Sequence, residues 1–425
     1  MSWFDSAVPG AQLVLMVLGL PILIFGLIKL LVLPLALWFE ARAWKGRRTQ
    51  APTLLGERPF VSIIVPGYNE SAVIANCVEA IALTRYDRYE VLLIDDGSTD
   101  DTAALMAGLA RRDPRFHFYS QTNAGKGAAL NLGIRHASGD VLMFVDADGI
   151  FSDRTVEQML EGFRDERTGA VCGDDRPVNL NRVQTRMLAF ISHVGTGMVR
   201  RALTLIGCLP IVSGNIGAFR ASVMAEIGVF REDTVGEDLE LTWRVQKARY
   251  KVAFAPRALV YAESPSTIGG LWRQRTRWAR GLLQTMRIHK GMIGNPRYGR
   301  FGFYLLFNTL TMVILPVLQV AVLLDLAFLL AMGRTPFGQD ALAVLGWFGL
   351  GVTLVLSVFA IAMNRAWRDL CHVWALPLIP FYSVFAGFTM IAALLQEAKG
   401  SEAKWNKGTR SGVVSVTAAR ADALP

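Results

Sequence analysis

The chain has 425 residues, room for two to four domains at about 100–200 residues each. Hydrophobic residues make up 52% and charged residues 19%, against about 25% charged for an ordinary soluble domain. This excludes a disordered chain, a fibrous repeat and a wholly soluble enzyme. Lys and Arg number 44 against 35 Asp and Glu, a net charge of +9. In so apolar a chain that excess belongs to the cytoplasmic flanks of membrane spans, not to a nucleic-acid face.

Residues 13–39 are apolar apart from Lys29, long enough to cross a hydrocarbon core about 30 Å thick. The run is too long for a signal-peptide core and ends in Arg42, Lys45, Arg47 and Arg48, a flank expected to stay in the cytoplasm. Charged residues then return. Val61–Val65 (VSIIV) predicts a buried strand closed by Pro66-Gly67, and residues 71–84 a helix. EVLLI at 90–94 predicts a second strand ending in Asp95-Asp96. Ser98 with Asp101 three residues on reads as a capping box for a helix carrying Leu105 and Leu109. A third strand is expected at 116–119, a helix at 126–136 and a fourth strand at 141–145. Strands alternating with helices predict a parallel sheet with right-handed crossovers. Three more apolar runs, 303–332, 342–363 and 371–395, complete the chain. Pro316 and Asp325 interrupt the first, which predicts an interfacial helix leading into a span; about four to six spans are expected in all. Cys77, Cys172, Cys208 and Cys371 lie far apart without CxxC spacing, which predicts neither a zinc site nor a disulfide framework.

In open parallel sheets, ligands bind beyond the carboxyl ends of the strands. Asp95 and Asp96 end the second strand, Asp146 and Asp148 the fourth, so both pairs are expected at one rim. A dinucleotide fold would need GxGxxG after the first strand, where the chain has Pro-Gly-Tyr-Asn-Glu, and Gly125-Lys126-Gly127 does not make a phosphate loop. Asp146-x-Asp148 can hold a hard divalent cation completed by pyrophosphate oxygens and water. Taken singly, each acidic pair equally fits a helix cap, and Gly236-Glu237-Asp238 a charged helix start.

Order and spacing change that balance. The chain carries, in turn, PGYNE (66–70), DDGSTDD (95–101), NAGKGAALN (123–131), DAD (146–148), VSGN (212–215), GED (236–238) and QRTRW (274–278). The set resembles the family 2 glycosyltransferases, specifically the membrane-embedded processive synthases of β-linked polysaccharides, which include cellulose and hyaluronan synthases. Through TVGEDLELTWRV (234–245) and LWRQRTRWARG (271–281) it is most similar to bacterial poly-β-1,6-N-acetylglucosamine synthases, with Gly236 where Thr is common in that group.

The resemblance covers about residues 58–290 and implies an α/β glycosyltransferase-A-type domain, a Rossmann-like nucleotide-sugar fold, inserted between transmembrane helices. The implied divisions are an N-terminal transmembrane segment at 1–40, a cytoplasmic catalytic domain at 52–290 ending in interfacial helices, transmembrane helices at 301–396 and a basic tail at 397–425. It implies donor contacts from Tyr68, Glu70, Asp95, Asp96, Lys126, Asp146, Gln274 and Arg277. Mg²⁺ or Mn²⁺ would sit on Asp148 with help from Asp146. Asp238 would be the general base beside Glu237, and Ser213, Gly214, Asn215 and Trp278 would meet the acceptor. The implied partners are a UDP-sugar, probed first as UDP-N-acetylglucosamine, a polysaccharide acceptor, the lipid bilayer of a bacterial inner membrane crossed in several passes, and a small accessory membrane subunit, with no nucleic acid. The rival reading is a non-processive transferase that adds one sugar to a lipid, resembling ceramide glucosyltransferases.

Overall fold

The computed structural model describes residues 29–48, 58–333, 339–401 and 412. The expected span at 13–39 and the basic tail fall largely outside these residues. From Val32 to Arg48 the chain is one helix, α1, which continues through the basic flank beyond position 40.

The soluble part is built on an eight-stranded sheet in the order β3-β2-β1-β4-β7-β6-β8-β5. Its first half is the expected alternation: β1 (Val61–Gly67), α2 (Ile74–Ala82), β2 (Tyr89–Asp95), α3 (Thr102–Ala110), β3 (Phe116–Ser120), α4 (Lys126–His136) and β4 (Val141–Phe144). β1 lies parallel between β2 and β4, with Val61 opposite Tyr89 on one side and Val141 on the other. Side chains in a strand alternate between the two faces, and here both faces are covered. Ile63, Val91, Leu93, Val141 and Met143 join one buried cluster with α2, while Ile64, Leu92, Ile94, Leu142 and Phe144 join a second with α4. That double burial explains the unbroken apolar runs in the sequence.

The second half corrects the expectation of a wholly parallel sheet. It comprises β5 (Ile150–Phe151), α5 (Thr155–Leu160), β6 (Thr168–Pro177), α6 (Val183–Ser192), α7 (Val199–Leu205), β7 (Gly217–Arg220), α8 (Ala221–Ile227), α9 (Glu237–Lys247) and β8 (Lys251–Ala262). β7 runs antiparallel to both β4 and β6, and β5 antiparallel to β8. The short β7 returns through residues 213–216, so the turn that precedes it arrives at the same rim as the end of β4. The capping box is also corrected. Asp101 caps α3 without a side-chain bond. Asp100 Oδ1 instead accepts from the Thr102 N–H at 3.0 Å, and Ser98 Oγ accepts from the Asn69 N–H at 3.0 Å.

After β8 come α10 (Ile268–Ile288), α11 (Gly299–Thr309), α12 (Leu315–Ala331), α13 (Gln339–Met363) and α14 (Ile379–Ala398). Among the described residues two helical stretches are long and apolar enough to cross a membrane, Pro296–Ala331 and Trp367–Ala398, and Phe348–Met363 is a shorter apolar helix. The chain does not break near Pro316: a π-helical turn at Leu310–Ile314 joins α11 to α12 within one helical stretch, Pro296–Ala331, and Pro316 removes one backbone N–H from inside it. Phe303, Leu324 and Phe381 point outward and are exposed. Large exposed apolar residues on such helices are unfavourable in water and suited to lipid.

The sheet domain is bolted to these helices by buried polar groups. Arg201 of α7 donates from Nε to Glu40 of α1 and from Nη1 to Asn364, each at 2.7 Å. Asn364 Nδ2 lies 2.9 Å from His193 Nδ1, and His193 Nε2 lies 2.7 Å from Asp369. Three distant segments thus meet at one knot.

Phe144 is almost fully buried where β4 meets β7, with Phe219 and Phe230 packed edge-on at centroid distances of 5.7 and 4.9 Å. Phe144→Ala is expected to destabilise the domain by about 3–5 kcal/mol, read as a fall in the thermal or denaturant midpoint of the detergent-solubilised chain.

Candidate active site

Lys126 opens α4 and stands at the centre of the rim. Its Nζ lies 2.6 Å from Asp146 Oδ1 and 3.8 Å from Glu237 Oε1. Asp146 follows β4, and Glu237 begins α9. One ammonium therefore joins the ends of two elements separated by about ninety residues of chain. Burial by itself would lower the Lys126 pKa, but Asp146, Glu237 and Asp238 outweigh it and raise it, so the ammonium stays charged.

Burial raises the Glu237 carboxyl from the usual 4.5 to about 7; the Asp238 charge adds to that rise, while Lys126 and Arg277 oppose it. Asp238 is differently placed. Its Oδ2 accepts from the Gly214 N–H at 3.0 Å, and its Oδ1 from the Leu239 N–H at 2.7 Å. A Cβ at Gly214 would lie 3.0 Å from Lys126 Nζ and 3.4 Å from Asp238 Oδ2, so glycine permits this close approach. The Ser213–Asn215 turn is thereby set against Asp238 and Lys126.

Asp148 is buried, and its Oδ2 accepts from the Glu263 N–H at 3.2 Å. Asn215 Oδ1 is buried without a hydrogen-bond partner and sits against the same turn, 3.1 Å from where a Cβ on Gly149 would be. Asp146 and Asp148 supply hard oxygen donors but fall short of a complete cage, and among the described residues no group of three His, Cys, Asp or Glu makes one. Such a donor set fits Mg²⁺ or Mn²⁺ completed by a substrate's phosphate oxygens and water.

On the β1–β2 side of the rim, the PGYNE and DDGSTDD loops are knitted together. Asn69 adopts φ 55, a left-handed conformation that Asn tolerates, and its Oδ1 accepts from the Thr99 N–H at 2.8 Å. Glu70 is buried, its N–H donating to Thr102 Oγ1 at 2.7 Å, while Tyr68 is half-buried beside it. Asp95 accepts from Ser120 Oγ at 2.9 Å and the Ser98 N–H at 3.2 Å. Asp96 accepts from Gln121 Nε2 at 2.7 Å, the Ala124 N–H at 3.0 Å and the Gly125 N–H at 2.9 Å. Through these bonds both carboxylates also brace the rim: Asp96 shapes the loop that delivers Lys126, an internal use the sequence does not announce.

Gln274, Arg277, Trp278 and Gly281 recur at i, i+3, i+4 and i+7 on α10 and share a face. Arg277 comes close enough to Glu237 to favour its ionised form. Trp278 is 51% exposed, and the Arg275 guanidinium stacks 4.1 Å from its ring centroid. Gln274 is half-buried one turn earlier, with no hydrogen bond that joins it to the carboxylates. What holds α10 against the carboxylate loop is a pair the motifs do not flag. A Cβ on Gly236 would lie 2.8 Å from Gly281 Cα, and one on Gly281 2.9 Å from Gly236 Cα, so the two backbones touch. Gly236, the departure from the common Thr, is half of that crossing.

The Glu237 shift carries a pH signature. An unfolded Glu237 ionises near 4.5, whereas the folded group keeps its proton to about 7. Between those values the native state binds the extra proton, so this contribution to stability is fully present below 4.5 and declines as pH rises through about 7. Glu237→Gln should remove the decline: relative to wild type, the variant's melting temperature is expected to gain between pH about 5 and about 7.5. Parallel melting curves for the two proteins over that range would contradict it.

Comparisons with known proteins agree with this geometry. Residues 62–228 match the family described as Glycosyl transferase family 2. A poly-β-1,6-N-acetyl-D-glucosamine synthase of Staphylococcus aureus (strain COL) is 32% identical over 251 residues, 58% of this chain and 60% of the relative. The synthase of Staphylococcus epidermidis is 34% identical over 227 residues, 52% of this chain and 54% of the relative. The chain therefore matches somewhat more than half the length of these curated relatives. A mannosyltransferase from Pyrobaculum calidifontis, solved in complex with GDP-Man and Mn²⁺, superposes with a TM-score of 0.65 at 22% identity, covering 92% of this chain and 100% of that one, and so shares the fold. Residues 62–228, which carry Lys126, Asp146 and Asp148, thus match the family 2 glycosyl transferases, in a chain that resembles the poly-β-1,6-N-acetylglucosamine synthases.

Proposed function

We propose that the chain catalyses inverting transfer of a sugar from a UDP-sugar, UDP-N-acetylglucosamine, to the end of a growing β-linked polysaccharide, coupled to passage of the polymer across the inner membrane of a bacterium. The observation that carries this reading is the convergence of the Asp146–Asp148 turn, Lys126, the Ser213–Asn215 turn and Glu237–Asp238 at one rim. A donor rim alone would bind a nucleotide. A donor rim with a second carboxylate pair and a peptide turn facing it can also hold an acceptor.

On this reading Tyr68 and Glu70 line the nucleoside side, over a loop that Asp95 and Asp96 hold in shape. Asp148, with Asp146, would hold the divalent cation, which when bound supplies charge neutralisation at the departing diphosphate. Lys126 keeps a fixed positive charge beside Asp146 and Arg277 a second one across the rim, both suited to phosphate oxygens. Asp238 takes the proton of the acceptor hydroxyl as that oxygen attacks the anomeric carbon. The Gly214 N–H on Asp238 Oδ2 fixes the carboxylate so that it can face an acceptor lying on the Ser213–Asn215 turn. Glu237 is the poorer candidate for that role: it is buried against Lys126 and tends to keep its own proton. Trp278 offers a flat, exposed face on which successive sugar rings can stack. The exposed apolar helices would seat the domain on the cytoplasmic face of the bilayer, with α10 at the interface.

Membranes carrying the chain should be incubated with separate nucleotide sugars and the products sized. A polymer ladder from UDP-N-acetylglucosamine supports the proposal, a single glycolipid favours the non-processive reading, and no consumption of any nucleotide sugar defeats both. Asp238→Asn keeps the shape but removes the base, so transfer should fall by about 10²–10⁴-fold while UDP still binds in a calorimetric titration. Near-normal turnover would take the base role from Asp238. Chelation should stop transfer, with Mg²⁺ or Mn²⁺ restoring it, and Asp148→Asn should raise the metal concentration required. Full activity in excess chelator would remove the metal from the reaction.

A further inference from the structure

We propose that Gln284 is a positioning residue that sets the register of the catalytic loop against the last apolar helix, through Glu397. The inference rests on the proposed function for its catalytic readout. Gln284 is buried on α10, seven residues beyond Arg277 and on the same face. Its Oε1 accepts two hydrogen bonds from the segment just before Glu237 and Asp238, from Thr234 Oγ1 at 2.9 Å and the Val235 N–H at 3.1 Å. Its Nε2 donates to Glu397 Oε1 of α14 at 2.9 Å. Two donors on one side and a carboxylate on the other leave the amide one orientation. The same Glu397 oxygen accepts from Arg280 Nε at 2.7 Å, and Arg280 Nη2 donates to the Ser401 carbonyl at 2.6 Å.

Docking of α10 on α14 does not depend on this bridge. Ala279, Val313, Met390 and Ala393 form a buried apolar cluster there, with Leu282, Leu283 and Met286 packed on it. Apolar packing of that kind holds two helices together but tolerates small slides. A partly buried carboxylate bonded to a buried amide and a buried guanidinium resists such a slide, which would leave those buried donors unpaired. The loop it reaches is the one in which Gly236 touches Gly281 backbone to backbone. A slide of α14 is therefore transmitted as a shift of residues 234–236, directly before Glu237 and Asp238. Through this bridge the membrane segment and the transfer step share one register.

An exchange of the two side chains tests this in the full-length chain. Gln284→Glu keeps an acceptor for Thr234 and Val235 but sets a carboxylate against Glu397. It is expected to lower kcat about tenfold while leaving UDP affinity within about twofold, the pattern of an interaction felt in the transition state rather than in donor binding. Gln284→Glu/Glu397→Gln restores an amide-to-carboxylate bond of reversed polarity and should recover kcat to within about threefold of wild type, since contacting residues couple. Hydrogen exchange of the peptide spanning residues 230–238 gives a readout independent of activity: faster in Gln284→Glu, slow again in the double variant. The proposal is overturned if the single variant keeps wild-type kcat and exchange, if the double variant folds without recovering either, or if kcat, UDP affinity and melting temperature all fall together. Should wild type consume no nucleotide sugar, the proposed function fails, while the exchange pattern still decides the coupling.

Discussion

Everything at the rim is arranged around a single buried ammonium. Asp146, Glu237 and Asp238 would repel one another if brought together alone, and burial would strengthen that repulsion. Lys126 lies in hydrogen-bond contact with the first and 3.8 Å from the second, which lets the ends of β4 and α9 approach. Burial and crowding then divide the acidic groups by task. Glu237 is pushed toward its protonated form. Asp238 accepts two backbone N–H bonds, from Gly214 and Leu239. Adjacent residues on one helix turn thus have different surroundings: one is buried against Lys126 and the other is held by a peptide turn.

The parallel half of the sheet was legible because both of its faces are covered. VSIIV, EVLLI and VLMFV are almost wholly apolar for the simple reason that each alternate residue meets a different helix layer, and the two polar residues among them, Ser62 and Glu90, bond to each other at 2.6 Å. The antiparallel half was not, since β6 carries Gly-Asp-Asp-Arg-Pro at its end and β7 is four residues long. Neither pattern announces a strand without its neighbours. The acidic motifs were expected at one rim, and the strands that carry them, β2 and β4, do flank β1 in parallel; what the sequence does not announce is that Asp96 also braces that rim, its oxygens holding Gln121, Ala124 and Gly125. Gly236 and Gly281 are 45 positions apart, and a close approach between two glycines leaves no periodic trace. Gln284 could have been suspected from its i+7 spacing to Arg277, but its partner Glu397 lies 113 residues away.

The helix α10 is the element on which soluble and apolar parts agree. One of its faces carries Arg277, Gly281 and Gln284 toward the catalytic loop. Another places Trp272 edge-on to Phe385 at 5.6 Å and Arg275 over Tyr382 at 5.8 Å, both on α14. Trp278 lies between these faces. A sugar ring stacked on it would rest on a helix fixed from both sides, and such rigidity suits an acceptor that must be presented in one position after every addition.

The knot around Arg201 imposes an order on synthesis of the chain. Its three contributing segments, around Glu40, His193–Arg201 and Asn364–Asp369, leave the ribosome in that sequence. The sheet can close as soon as β8 has emerged, but until position 364 is made Arg201 lacks one of its partners and His193 lacks both of those it keeps in the finished protein. A buried guanidinium with an incomplete shell is costly, so the α6–α7 region is expected to stay loose on the nascent chain. Packing of the last apolar helices then becomes the event that locks a domain already folded, and a chain stalled before α13 would carry a complete sheet on an unfastened base.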